Sequence, residues 1–221
     1  DSPHTFSSAA YTPYSGSGSN RLTATFPLSS VPAAGVYPPP GWNQFTLGYD
    51  RRDAGGYAEW QKNSPWYFRV DGNQVSFSGT KPGSAANGTS PGNGYVDLAI
   101  PTEYKTSNWG VEGGYQSGKA TFAARWDYSK FDNANSELLW TNSYFGGNQL
   151  DSYALAPSNE FNKFTLTGNY RDLPWKSVLS ARYTWAKTTS DSELAPYALN
   201  TGPAYRPTLA SESSFSGENV N

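Results

Sequence analysis

The feature that most constrains the fold is an alternation of apolar and polar residues, with a period of two, over residues 105–131. Successive side chains of a β-strand point to opposite faces of the sheet, so this pattern predicts two strands, each with one apolar and one polar face. The turn between them is predicted at Ser117-Gly118. With a two-residue turn, Trp109 lies opposite Trp126, and both apolar faces fall on the same side. A shift of one residue would destroy this agreement, so the sequence predicts an amphipathic hairpin.

A second hairpin is predicted over residues 164–185, where apolar and polar residues alternate again. Its turn is predicted at residues 173–174. This turn places Thr165 opposite Arg182, and the apolar residues of both strands share one face. The sequence therefore contains two amphipathic hairpins of the same kind.

Short turns and long polar loops alternate along the chain. Further strands are predicted over 21–28, 44–50, 57–62, 66–77 and 95–100, with loop-like sequence over 1–20 and breaks at 53–56 and 101. Long polar loops are predicted over 79–94, 132–159 and 188–212, and residues 213–221 resemble the start of another strand. We therefore expect residues 1–221 to be part of a single barrel domain within a longer chain.

Strand length and the pattern of connections indicate a membrane protein. The hairpin strands are predicted to be about 10 to 13 residues long, whereas strands of soluble proteins average about 5 to 6. Outer-membrane barrels combine tilted strands of about 9 to 11 residues with short periplasmic turns and long external loops. The sequence predicts an all-β fold, a section of an antiparallel transmembrane β-barrel with short periplasmic turns and long extracellular loops. A soluble sandwich also has one apolar face per sheet, so this alternative stays open.

Composition narrows the classes of function. Aromatic residues make up 16% of the chain and there are 22 glycines, which favours β-structure over helix. The formal net charge of −2 gives no electrostatic reason to bind nucleic acid. With no cysteine and one histidine, the chain is predicted to carry no metal site, no catalytic residue and no covalently attached haem.

The two faces of the hairpins are predicted to meet different surroundings. The apolar face is predicted to contact membrane lipid through Trp109, Val111, Tyr115, Phe122, Trp126, Tyr128, Phe164, Leu166, Tyr170, Leu179, Tyr183 and Trp185. The polar face is predicted to face the barrel lumen or a partner through Glu112, Arg125, Asp127, Lys163, Thr165 and Arg182. Glu112 is expected diagonal to Arg125, within reach of an ion pair. These charges either pair with one another in a solvated pore or dock a partner, and both roles stay open at this point.

Several segments, taken in order, resemble the MtrB/PioB family of decahaem-associated outer-membrane proteins. The first is PHTFSSAAYTPYSGSGSNRL at residues 3–22. It is followed by VDLAIPTEYKT at 96–106, YSKFDNANSELLWTNSYF at 128–145 and the long segment that begins ALAPSNEFNKF, at 154–188. APYALN at 195–200 and SSFSGENVN at the end complete the set. No single segment is a chemical motif, but the ordered set covers most of the chain.

The resemblance implies a large barrel in a bacterial outer membrane that sheathes a periplasmic multihaem c-type cytochrome and lets electrons cross. An extracellular multihaem cytochrome is a further partner that it implies. These partners would carry the haem, and the chain would be a sheath and scaffold, not an enzyme. Members are far longer than 221 residues, so these residues would supply only part of the wall. The cysteine-containing segment that many members carry near their N-terminus is absent here.

Two other functions are also compatible with parts of this sequence pattern. A plain diffusion porin would share the barrel and differ only in what fills the lumen. A soluble carbohydrate-binding or glycoside-cleaving β-domain would stack exposed Trp and Tyr on sugars and use paired carboxylates. Its candidate pairs would be Asp50 with Glu59 and Asp191 with Glu193.

The stretch GGYQSGKA at 113–120 nearly matches a phosphate-binding loop, but it ends in alanine and lies in a strand-turn-strand context, so nucleotide binding is rejected.

Overall fold

The computed structural model describes residues 4–24, 40–86, 95–141, 150–190 and 215–220, and within them the chain is almost entirely β-structure. The long strands are β1 His4–Thr12, β4 Asn43–Trp60, β5 Trp66–Ala86, β6 Tyr95–Gln116, β7 Ala120–Asn133, β10 Asn159–Leu173, β11 Ser177–Ser190 and β12 Phe215–Val220. The short strands are β2 Tyr14–Ser15, β3 Arg21–Ala24, β8 Glu137–Thr141 and β9 Leu150–Ala154. The eight long strands form one antiparallel sheet in the order β1-β4-β5-β6-β7-β10-β11-β12, and the four short ones form a second sheet. The predicted all-β class is confirmed.

The central hairpin forms where it was predicted, but its register differs by two residues. Ser117 closes the turn between β6 and β7, since its backbone N–H donates to the Ala120 carbonyl over 2.8 Å. This turn is longer than the two residues assumed, so Trp109 lies opposite Tyr128 and not opposite Trp126. A shift by an even number of residues leaves each side chain on its expected face.

The second hairpin shows the same displacement. A 3₁₀ turn at Pro174–Lys176 joins β10 to β11, and its Trp175 has a left-handed backbone with φ of 63°. The prediction that Thr165 lies opposite Arg182 is wrong, since Thr165 faces Thr184. The cause is again a turn longer than the one assumed, and again the faces are preserved.

The strands are longer than the sequence predicted. β4, β5 and β6 contain 18, 21 and 22 residues, so the breaks predicted at 53–56, after residue 77 and at 101 are wrong. Residues 53–56 stay extended because they pair with β5, with Gly55 opposite Asn73. Pro101 is tolerated because β7 pairs with β6 only from Tyr104 onward, so the proline lies where β6 has a main-sheet neighbour on one side. The starts predicted for the loops at 79 and 188 are also wrong, since β5 continues to Ala86 and β11 to Ser190.

Three of the four strands of the second sheet, β2, β8 and β9, occupy sequence that was predicted to be loop, whereas β3 lies within the strand predicted at 21–28. Residues 132–159 contain β8 and β9, and residues 1–20 contain β1 and β2, so both loop predictions are wrong. The strands β2, β8 and β9 have only two to five residues, too few to show an alternating pattern. They nevertheless bury a compact core, because Leu22, Leu138 and Trp140 pack against Leu98 and Ile100 of β6. Leu98 and Ile100 are an even number of residues from Glu112 on the same strand, so the second sheet packs on the polar side of the main sheet.

The three short connections, 61–65, 117–119 and 174–176, all lie at one end of the main sheet, and the long ones lie at the other end. The sheet is open, with β1 and β12 at its two edges. The strand expected at the end of the chain is present as β12. Within the described ranges, no helix has the length and apolar character needed to cross a membrane.

Candidate functional site

The polar face of the main sheet is organised around one guanidinium group. Arg125 donates from both terminal nitrogens to the two carboxylate oxygens of Asp71, each over 3.0 Å. Its Nε donates to Asp127 over 2.7 Å, and Nη1 lies 3.5 Å from Glu112. Side chains of these four residues are between 24% and 29% exposed, so they are shielded on most sides. A paired guanidinium–carboxylate contact of this kind is among the stronger hydrogen-bonded interactions in proteins.

Side chains of β4, β5 and β6 extend this cluster across the sheet. The Tyr67 hydroxyl donates to Glu112 over 2.7 Å. Arg69 lies 3.4 Å from Asp71 and 3.9 Å from Glu59, and its guanidinium stands over a tyrosine ring at 4.9 Å. We call this set the Arg125 network: Tyr57, Glu59, Tyr67, Arg69, Asp71, Glu112, Arg125 and Asp127. Among the described residues, no group of His, Cys, Asp and Glu side chains is arranged to hold a metal ion.

Two glycines make room for the network. A Cβ added to Gly110 would collide with the guanidinium of Arg125 and would lie 2.7 Å from an oxygen of Asp71. A Cβ on Gly114 would collide with the ring of Tyr67. Gly110 and Gly114 lie on the polar face of β6. Because they have no side chain, the polar side chains of the neighbouring strands can lie directly over the β6 backbone.

The opposite face of the same strands is apolar and open to its surroundings. Trp109 is 56% exposed, Phe122 is 50% exposed and Leu179 is 62% exposed. We call the exposed apolar set on this face the apolar band: Trp60, Trp66, Phe68, Trp109, Phe122, Trp126, Leu166, Tyr170, Leu179 and Tyr183. Large apolar patches on a protein surface mark an interaction site, a membrane surface or an aggregation hazard.

The apolar band covers only the part of each strand nearest the short turns. Further along the same face, the alternating positions become polar, at Gln74 on β5, Ser107 on β6, Lys130 on β7 and Lys187 on β11. The opposite face changes in the other sense. There the Arg125 network gives way to a row of aromatic rings from four strands, with successive centroids 4.7, 6.4 and 5.2 Å apart: Tyr49, Phe77, Tyr104 and Phe131.

The six predicted polar-face residues share one face of the sheet, but the structure brings only three of them together. Glu112 and Arg125 are directly opposite each other and not diagonal, and Arg125 also contacts Asp127. Lys163 lies opposite Asp127 in the ladder, yet neither Lys163 nor Arg182 makes an ion pair with any residue whose side chain the structure describes. Thr165 lies opposite Arg125, and its hydroxyl is buried without a hydrogen-bond partner there.

The twelve residues predicted to contact lipid also lie on one face, which is the face of the apolar band. In the ladder, Tyr115 pairs with Phe122, and Val111 pairs with Trp126. The next strands continue the second of these rows, since Phe164 is opposite Trp126 on one side and Trp185 on the other. Their contact with lipid stays a prediction.

The sequence interpretation placed Glu112, Arg125 and Asp127 on this face but missed the five network residues that come from β4 and β5. Tyr67, Arg69 and Asp71 alternate with Trp66, Phe68 and Val70, the same period-two signal that identified the central hairpin. Applied to residues 66–71, that rule would have placed these polar side chains on one face.

The carboxylate pairs of the glycosidase alternative do not assemble. Asp50 and Glu59 are an odd number of residues apart on β4, so they lie on opposite faces of the sheet. Asp191 and Glu193 lie outside the described residues. The phosphate-loop candidate forms the predicted strand-turn-strand, and its Lys119 pairs with Asp172 over 2.7 Å.

Comparison with known proteins matches this architecture. A family model described as outer membrane beta-barrel porin, MtrB/PioB, matches residues 1–219. The outer membrane protein MtrB of Shewanella baltica (strain OS185) is 30% identical over 197 residues, which cover 85% of this chain and 27% of that protein. The chain thus spans 27% of the length of this relative. The expected resemblance and the outer-membrane location are confirmed: the chain belongs to the MtrB/PioB family of outer-membrane β-barrel porins.

Proposed function

We propose that this chain forms one section of the wall of a bacterial outer-membrane barrel that sheathes a periplasmic multihaem c-type cytochrome. The cytochrome carries the haem, and electrons pass along it between the periplasm and the cell exterior, where a second multihaem cytochrome is a further partner. The chain supplies alignment and insulation and no chemistry of its own.

The observation that carries this proposal is the length of the strands. β6 has 22 residues. At about 3.3 Å per residue and a tilt of about 35–45°, such a strand spans about 50–60 Å along a barrel axis. The apolar zone of an outer-membrane barrel is only about 25 Å tall. The wall of a diffusion pore needs to be only as tall as the membrane is thick. A sheath around a row of cofactors that extends beyond the membrane has to be taller than that.

The polar face supports the same function. Among its charged residues, Glu59, Asp71, Glu112 and Asp127 are matched by Arg69, Arg125, Lys163 and Arg182. Ion pairs hold the Arg125 network in place, so the side chains are fixed against the wall. A surface on which charges of both signs are balanced concentrates neither cations nor anions and leaves the lumen free for a protein with its own charge pattern.

The open edges of the sheet indicate that the wall is completed by further strands. An unpaired strand edge inside a bilayer leaves backbone N–H and C=O groups without partners, each at a cost of several kcal/mol. We propose that β1 and β12 pair with strands of a longer chain, of which residues 1–221 form part of a single barrel domain.

Co-purification tests the function. The complete tagged barrel is solubilised in detergent from its native outer membrane, and the haem absorbance that elutes with it is measured. We expect a multihaem cytochrome to elute in a fixed ratio to the barrel. A colourless barrel that conducts ions would instead establish a plain diffusion porin, and specific retention on a glycan would favour the carbohydrate-binding alternative.

Two variants of one strand show whether the polar face holds the cytochrome. Arg182 lies on the polar face of β11, and Lys187 lies on the opposite face of the same strand. We expect Arg182→Glu to lower the amount of haem that elutes, most strongly at low salt, because charge effects are screened as ionic strength rises. Lys187→Glu is the matched control and should leave the haem ratio unchanged. Equal effects of both variants would contradict docking on this face.

A further inference from the structure

The second sheet is assembled from two separate connections of the main sheet. β2 and β3 lie between β1 and β4 in the chain, and β8 and β9 lie between β7 and β10. In the main sheet, β1 and β4 stand on one side of β5 and β6, and β7 and β10 stand on the other side. The two connections therefore meet across β5 and β6. We call the four short strands β2, β3, β8 and β9 the strap.

Direct contacts join the two halves of the strap. β3 pairs with β8 in parallel, with Leu22 opposite Trp140. The Tyr14 hydroxyl donates to the carbonyl of Thr141 over 3.2 Å. The rings of Tyr14 and Trp140 meet edge to face, with centroids 6.4 Å apart. The two connections are thus one folded unit with a shared core.

The strap packs on the main sheet well beyond the apolar band. Its core covers Leu98 and Ile100 of β6, which are 1% and 3% exposed. At about 3.3 Å per residue, Ile100 lies about 30 Å along β6 from Trp109 of the apolar band. A Cβ added to Gly83 would collide with the Ile100 side chain, so β5 leaves room for this core. The strap therefore lies near the long connections, on the face that carries the Arg125 network.

Hydrogen bonds fix the strap where its connections leave the main sheet. Thr12, at the end of β1, is fully buried, and its hydroxyl donates to the carbonyl of Asp97 over 3.3 Å. On the other side, the side-chain amide of Asn133 donates to the carbonyl of Ala156 over 2.8 Å. Movement of the strap away from the wall would expose its apolar core to water, which is unfavourable.

The surface of the strap that points away from the main sheet is polar. On β3, Arg21 and Thr23 are exposed on either side of the buried Leu22. On β8 and β9, the Ser152 hydroxyl donates to Glu137 over 3.1 Å, and both residues alternate with core positions. This surface suits contact with water or with a protein, and it does not suit contact with lipid tails.

We propose that the strap is a fixed constriction of the lumen at the long-loop end of the barrel. Sheets that pack face to face are about 10 Å apart, so the strap moves the inner surface of the wall inward by about this distance. Within the described part of the chain, no second layer covers the polar face near the short turns. A protein that occupies the lumen therefore enters from the short-turn end and is halted at the strap. The proposal rests on the lumen placement of the polar face under the proposed function, and not on which protein fills the lumen.

Polymer exclusion tests the constriction. The complete barrel, washed free of any lumen protein with a chaotropic salt, is inserted into planar bilayers in one orientation, and its conductance is measured. Poly(ethylene glycol) of increasing size is added to one side at a time, since a polymer that enters a pore lowers its conductance. We expect the largest polymer that enters from the long-loop side to be smaller than the largest that enters from the short-turn side. Equal size limits on the two sides would overturn the proposal.

Two adjacent substitutions separate the strap from a general effect of added charge. Leu22→Asp places an unpaired carboxylate in the strap core, which opens the strap because burial of such a charge is costly. Thr23→Asp adds the same carboxylate to the exposed surface of the same strand. We expect the difference between the two size limits to be lost in Leu22→Asp and kept in Thr23→Asp. An unchanged difference in Leu22→Asp, or its loss in both variants, would contradict the assignment to the strap.

The position of the strap can also be measured without a variant or a wash. Electron cryo-microscopy of the complete barrel in detergent, with its lumen contents, gives a cross-section at the level of Ile100. We expect the density of the strap inside the ring of strands, and density only outside the ring would overturn the proposal. The ratio of haem to barrel is measured in the same sample. A colourless barrel with the strap inside the ring would contradict the cytochrome function and leave the constriction supported.

Discussion

At the scale of single residues, Arg125 has the largest share of specific contacts on the polar face. Arg125 forms ion pairs with Asp71 and Asp127 and lies near Glu112. Its removal therefore leaves three carboxylates close together with much less positive charge nearby to offset their repulsion. Breaking a fully buried pair costs about 3–5 kcal/mol, and breaking an exposed pair costs under about 1 kcal/mol. The partial exposure of these groups places Arg125 between the two limits.

We predict that Arg125→Gln destabilises the assembled barrel by about 1–3 kcal/mol. The reason is repulsion among the three carboxylates that the guanidinium now neutralises. The urea concentration that unfolds half of the detergent-solubilised barrel measures the effect. Arg51→Gln is the control, since Arg51 and Asp53 form an exposed pair, and a midpoint shift as large as that of Arg125→Gln would contradict the account.

A second prediction at this scale concerns two glycines of β6. Gly110→Ala places a methyl group where the Arg125 and Asp71 side chains meet, and we expect it to cost about 1–3 kcal/mol. Gly113→Ala, on the other face, adds the same methyl group to open space, and we expect a change within about 0.5 kcal/mol. Urea midpoints of the two variants, measured side by side, check the difference. Equal midpoints would show that the network is not packed against Gly110.

At the scale of elements, each long strand changes character along its length. Near the short turns one face is apolar and the other carries the Arg125 network. Beyond the apolar band the first face becomes polar, and the second bears aromatic rings and then the core against which the second sheet packs. The period-two alternation predicted the central hairpin because, over most of residues 105–131, the apolar residues stay on the same face of the sheet. It missed the continuation of β5 and β6, because the apolar face changes sides there and Pro101 resembled a break.

The second sheet supplies a prediction about pH. Tyr14 is fully buried, its hydroxyl donates to the Thr141 carbonyl over 3.2 Å, and burial raises the pKa of its phenol. The folded state therefore favours the protonated phenol. This contribution to stability is present below the unfolded pKa of about 10 and is lost as the pH rises through the raised pKa.

We expect brief proteolysis to cut the second sheet faster at about pH 11 than at pH 8, once the protease's own pH dependence is removed with an unfolded reference substrate. Tyr14→Phe removes the ionisable group, so its cutting should change less between the two values, although the lost hydrogen bond costs about 1 kcal/mol at neutral pH. If Tyr14→Phe shows the full alkaline change, another group is responsible.

At the scale of the whole molecule, the sequence predicted the all-β class, both hairpins and the two faces of each strand. These predictions depend only on which residues share a face of a strand, and an error of two residues in register does not change that. The register itself depended on turn conformation, for example the left-handed Trp175, which composition does not reveal. The second sheet depended on contacts between residues far apart in the chain, such as Leu22 with Trp140, which no local pattern shows.

The central claim is that one face of the long strands lies in lipid and the other faces an enclosed lumen. Residues 1–221 contain no cysteine, so single cysteines at residues 179–184 of the complete barrel, with any cysteine outside residues 1–221 replaced, can carry an environment-sensitive fluorophore. In reconstituted membranes, a lipid-soluble quencher should act on labels at positions 179, 181 and 183. It should spare labels at positions 180, 182 and 184. Quenching that does not alternate with a period of two, or labels at positions 179, 181 and 183 that respond only to a water-soluble quencher, would contradict the account.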